Sequence, residues 1–192
     1  MAKTASAPTE LSNFTCFSIN MSFFPCNSLT GIDKTCDGNR GSVTQILVVD
    51  QLSVTATTAT SAHTISAITL SGNAQMVEIK FNRNAGNYDE TLARVEVSGA
   101  RIYDQKVSVT IPRRDIDKRN SIMLMGEGDR EIALILRDGN DIYWYFPNMI
   151  LSDIGGGSGA ARKDGSTFTL GFTNESLSLA VDVDPSIIAN LY

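Results

Sequence analysis

The stretch that most constrains this chain is EIALILRDGNDIYWYF, Glu131 to Phe146. Two apolar runs flank an Asp138-Gly139 pair, and an Asp-Gly step between strand-like segments carries the residues of a hairpin turn. The pattern predicts strands over 131–136 and 141–146. Other segments repeat the β signal. VTQILVVD (Val43 to Asp50) is apolar and rich in β-branched residues. Leu52-Val54-Ala56 and Ile65-Ala67-Thr69 alternate, with a turn expected near Thr60 to His63. MVEIKF (76–81), LARVEVSG (92–99), QKVSVTI (105–111), STFTLGF (166–172) and LSLAVDV (177–183) complete the strand candidates. No βαβ rhythm joins them, so the expected class is mainly β and antiparallel.

One helical signal interrupts the strands. RRDIDKRNSIMLMG (113–126) has acidic residues near its start, and Ile116, Asn120, Met123 and Leu124 fall on one face. Gly126 stands where a helix-ending glycine belongs. One packed α-helix is expected there. NRNAGNYDE (Asn82 to Glu90) and GGGSGAARKDG (Gly155 to Gly165) read as loops from their Asn, Gly and Asp content. Residues 1–25 hold only Lys3 and Glu10 as charges but carry Phe14, Phe17, Phe23 and Phe24. That segment reads as an arm that orders by lying on its own domain or on a neighbour, leaving 26–192 as one β-domain.

The 192 residues carry a formal charge of −5, which opposes high-affinity binding to nucleic acid. A wall past which DNA slides without sticking remains compatible with it. No apolar run approaches the roughly 20 residues of a membrane span. The N-terminus lacks the apolar core of a secretion signal, so the chain is expected to assemble in the cytoplasm.

The candidate chemistry is thin. Cys16, Cys26 and Cys36 are ten residues apart and match neither a zinc pattern nor a disulfide framework. The single histidine, His63, has no acid at triad spacing. In SLTGIDKTCDGNRGSVTQILVVD (28–50), Lys34-Thr35 lacks the preceding glycine of a phosphate loop, and a strand follows where a helix is required. The pairs Asp89/Glu90, Asp115/Asp117 and Asp182/Asp184 fit strand faces, a helix start or loops. The Trp144 cluster reads as core or interface before it reads as a sugar platform. No catalytic residue, metal ligand or cofactor is expected, so the chain is not read as an enzyme.

The order of these segments resembles phage tail tube and tail ring (neck) proteins, in particular those of crAss-like phages of Bacteroidota. The resemblance rests on Cys26, Gly31-Ile32, Cys36, Asn39 and Gly41 ahead of VTQILVVD, then the Asn/Gly stretch and the helix. The ALILRDGNDIYW hairpin, the Gly-rich stretch and a closing strand with Phe168, Leu170, Phe172 and Glu175 follow. It covers most of 26–181, and Ser42 departs from it where a second glycine is frequent. The resemblance implies an antiparallel β-sandwich or barrel of tail-tube type with one packed α-helix, closing into a hexameric or dodecameric ring that lines a channel for genome ejection. Implied partners are adjacent tail, neck or portal-proximal virion proteins. DNA would pass without specific binding, and the location is the virion. Interface candidates are Arg83, Tyr88, Asp89, Arg162 and Lys163. The alternative expectation is a β-sandwich glycan-binding or adhesin module using Tyr143-Trp144-Tyr145.

Overall fold

A computed structural model describes residues 38–60, 63–94, 101–161 and 163–192. The N-terminal arm, the three cysteines, Arg162 and the end of the 92–99 segment lie outside the described residues.

The predicted hairpin forms the middle of the domain, with longer strands than its sequence pattern marks. Strand β7 is Glu131–Asp138 and strand β8 is Tyr143–Ser158. Its turn owes its shape to Asp138. One carboxylate oxygen accepts the backbone N–H groups of Asn140 (2.8 Å) and Ile142 (3.0 Å), and the other accepts the Trp144 indole N–H (3.2 Å). Gly139 is needed for a close approach. A Cβ there would lie 2.6 Å from the Gly41 carbonyl oxygen and 2.7 Å from that of Arg40.

Strand β1, Val43–Asp50, pairs with β7 and with the short β4, Val77–Glu78. On the other side of β8 lie β10 (Val181–Val183), β3 (Ile65–Leu70) and β2 (Val54–Ala59). This seven-strand path is a central slab whose middle strands, β1 and β7, are buried on both faces, while β2 at its end is largely exposed. Along β7, Ile132, Leu134 and Leu136 enter one hydrophobic cluster, while Ala133 and Ile135 enter a second on the opposite face. Residue-by-residue alternation between two covered faces explains why the sequence reads as an unbroken apolar run. The second cluster is capped by a short helix, α2 (Pro185–Ile188), through Ile188 and the following Leu191.

β8 also belongs to a second sheet. Its pairing with β7 ends at Ile150, and from there to Ser158 it pairs with β9, Ser166–Ser176. Shortly before that change of partner, Pro147 and Asn148 form a bulge where Asn148 takes φ 54°, a left-handed backbone that asparagine tolerates. β9 pairs with β6 (Arg101–Pro112), and β6 with β5 (Gly86–Arg94). One face of this four-stranded sheet packs on the slab through Val107, Val109, Ile111, Phe168, Leu170 and Phe172.

Several expectations need correction. The sheet is mixed, because Val183 of β10 pairs parallel with Ile65 of β3. Residues 86–90 are strand, and only 82–85 form the loop, since pairing with β6 overrides the turn chemistry of the Asn/Gly stretch. Gly155 to Ser158 likewise continue β8, leaving 159–165 as the turn. Only Val77–Glu78 of MVEIKF pairs as strand. The helix α1 (Ile116–Met125) exists, capped by Asp115, but the core-facing stripe is not the expected one. Ile122 is the buried residue. Ile116, Met123 and Leu124 are 74%, 56% and 53% exposed. A second helix, α2, also exists.

Candidate functional site

The four-stranded sheet β5-β6-β9-β8 offers the domain's most accessible architecture. Its strands alternate antiparallel, and its two outer strands are open on opposite sides. Among the described residues, β5 pairs only with β6, and β8 from Leu151 onward pairs only with β9. Unpaired strand edges are templates for further pairing.

The sheet's two faces differ in chemistry. Opposite the core lie Asn87, Ser108, Thr110, Thr169, Thr173 and Gly171, together with Asp89, Asp104, Asp153 and Glu175. Lys106, opposite Asp89, is the cation among them. Asp104 and Glu175 sit directly across from each other, a like-charge pairing that costs stability on a sheet face.

On the core face, the apolar row of β6 ends in a polar knot. Gln105 is buried and its amide donates to Glu90 Oε1 (2.8 Å) and to the Ser178 carbonyl (3.4 Å). Glu90 Oε1 also accepts the Ala180 backbone N–H at 2.8 Å. Asn174 reaches the Pro147 carbonyl at 3.0 Å. Sequence reasoning missed this knot, although the signal was present: Gln105 falls in register with Val107, Val109 and Ile111.

Beside β5 lies an open cleft of about 490 Å³ between the 39–43 segment and the strand, lined by Arg40, Tyr88, Asp89, Glu90, Asp138 and Leu179 among others. Tyr88 is half-buried, with its ring edge-on to Phe146 at 5.7 Å. Burial foremost, then the Asp138 and Glu90 carboxylates, push its phenol above the usual range. A second cleft of about 460 Å³ shares Arg40 to Val43 and includes Arg83. The structure thus brings Arg83, Tyr88 and Asp89 to two clefts flanking one segment. Lys163 is exposed in the turn between β8 and β9 and lines neither cleft.

The carboxylate pairs are occupied structurally. Asp115 and Asp184 cap α1 and α2, accepting the N–H groups of Lys118 (2.9 Å) and Ser186 (2.8 Å). Asp182 accepts the Thr64 hydroxyl at 2.8 Å. Asp89 and Glu90 point to opposite faces of β5. Among the described residues no three His, Cys, Asp or Glu side chains are grouped to hold a metal ion, and no helix is long and apolar enough to cross a membrane. In the aromatic run, Tyr145 is buried, Trp144 is tied to Asp138, and Arg137 lies 5.7 Å over the half-buried Tyr143 ring. No protein-family model matches the sequence, and no curated protein matches it either.

Proposed function

We propose that this protein is a non-catalytic structural subunit that self-associates, edge to edge, into a ring or tube through which DNA passes, as in a phage tail or neck. The observation that carries the reading is the four-stranded sheet with two open edges of complementary direction. β5 and β8 run antiparallel, so β5 of one copy added to the 151–158 edge of another continues the alternation. Repeating a head-to-tail contact generates a closed ring when the rotation closes. The same sheet presents its acidic, Thr/Ser-rich face away from the core, and four carboxylates against one ammonium give a wall that repels phosphate. The sequence resemblance points the same way.

The test is native mass spectrometry with negative-stain images of the purified full chain. Closed rings of six or twelve, or stacked tubes, are the expected result. A monomer at every concentration up to the millimolar range sinks the reading. Binding of that monomer on a glycan array would transfer the assignment to the adhesin alternative, whose aromatic run is largely absorbed by the core.

A further inference from the structure

Helix α1 is mounted with its apolar stripe facing away from its own core. At 100° per residue, Ile116, Asn120, Met123 and Leu124 span one side, and buried Ile122 lies on the other. Beside the helix end, Ile154 of β8 is 50% exposed, and a Cβ on Gly126 would touch its Cδ1 at 3.6 Å. Single exposed apolar side chains occur elsewhere on the domain, but a grouped apolar surface of this kind marks a contact site. The helix is also rimmed by cations. At its start and through its first half, Arg113, Arg114, Lys118 and Arg119 outweigh Asp115 and Asp117 by two charges, while Glu127 and Asp129 follow its other end.

The complementary surface lies at the other end of the same sheet. The cleft beside β5 combines half-buried Tyr88 and exposed Leu179 with Asp89, Glu90 and Asp138, which outweigh Arg40 by two charges. The two surfaces also stand at matching levels along the strands. Tyr88 lies opposite Val107, and Leu151, against which the helix end packs, lies in that same row through Phe172. The helix surface lies on the core side beside the β8 edge, and the cleft lies at the β5 edge, lined by core-side Tyr88 and Glu90 and by Asp89 from the opposite face.

We infer that the outward face of α1 docks into the β5 cleft of a second copy of this chain, apolar stripe against Tyr88 and Leu179, with the helix cations facing Asp89 and Glu90. This deepens the assembly reading and rests on it for the head-to-tail arrangement. Opposite charge across such a contact fixes partner orientation and makes it salt-sensitive.

The experiment compares the full-length chain with Met123→Asp, Arg119→Glu, Asp89→Arg and the Arg119→Glu/Asp89→Arg double variant, by native mass spectrometry and sedimentation. All three positions are exposed, and far-UV circular dichroism with a thermal melt checks that each variant is folded. Burying the new carboxylate of Met123→Asp is expected to raise the assembly concentration about tenfold or more. Each single charge reversal weakens assembly, and the double variant restores it. Wild-type rings that Met123→Asp leaves intact overturn the docking and spare the conduit reading. Wild-type open oligomers or dimers that Met123→Asp dissolves uphold the docking and remove the closed conduit. A wild-type monomer throughout overturns both.

Discussion

In β7 every residue from Ile132 to Leu136 is buried, whereas in β6 burial skips every other position from Gln105 to Ile111. The two strands differ little in β propensity. The difference is what covers them. β7 sits in a slab with a hydrophobic cluster on each face, and β6 in a sheet covered on one face alone. A strand buried twice has no surface left to offer, so stability concentrates in the slab. A strand buried once keeps a face and, at the sheet's margins, an edge, and these carry the proposed function.

Substitutions can break this contrast, beginning with the slab. Leu134→Ala empties a fully buried site and is expected to cost about 2–5 kcal/mol. Chemical denaturation reads this as a lower midpoint, and a loss under about 1 kcal/mol would deny the slab its dominant role. Gln105→Ala probes the border between the regions. It leaves Glu90 without its amide donor, with an expected cost of about 1–3 kcal/mol. An unchanged melting curve would mean that the knot is replaceable by water.

The acid limb sharpens the contrast further. Accepting backbone N–H groups holds the Asp115 and Asp184 carboxyls below their ordinary value of 3.8. Their folded pKa is lower than the unfolded one, so the caps contribute fully above that value and are lost as pH falls below it. Asp115→Asn should flatten the stability-versus-pH curve in that window, and an unaltered slope there removes the cap argument. The smallest effect belongs to the solvent face. Asp104→Asn relieves the pairing with Glu175 and is expected to stabilise by about 0.2–1 kcal/mol. A loss of stability would instead assign that carboxylate a supporting contact.

The slab was the legible part of the sequence. An apolar run with a turn at Asp138 announces a hairpin because burial on both faces leaves little room for polar residues. Where legibility failed, pairing partners distant in sequence decided the outcome. Asn87 to Glu90 read as a loop by composition, yet Val107, Ser108 and their neighbours give each residue an opposite number in an antiparallel ladder. Gly155 to Gly157 became strand in the same way, and Gly156 suits it, since with φ 140° a Cβ there would strike the Thr167 carbonyl oxygen. The helix was legible in extent but not in rotation. Its stripe is well formed, and nothing in the local sequence says which side meets the core. Of the candidate site, Arg83, Tyr88 and Asp89 stand out by their Asn/Gly setting, while the two clefts they line depend on the 39–43 segment.

The double membership of β8 has a mechanical meaning. Its first half is anchored in the slab and its second half is the last strand of the open-edged sheet, with one continuous backbone between them. A load applied to the sheet therefore reaches the slab through the β8 backbone at Ile150, in parallel with side-chain packing. If that load runs along the strands, the β8–β9 ladder is stressed in shear, with its hydrogen bonds sharing the force instead of opening one at a time. Resistance to rupture is a matter of unfolding rate more than of equilibrium stability, and a domain built this way yields slowly when pulled across its middle.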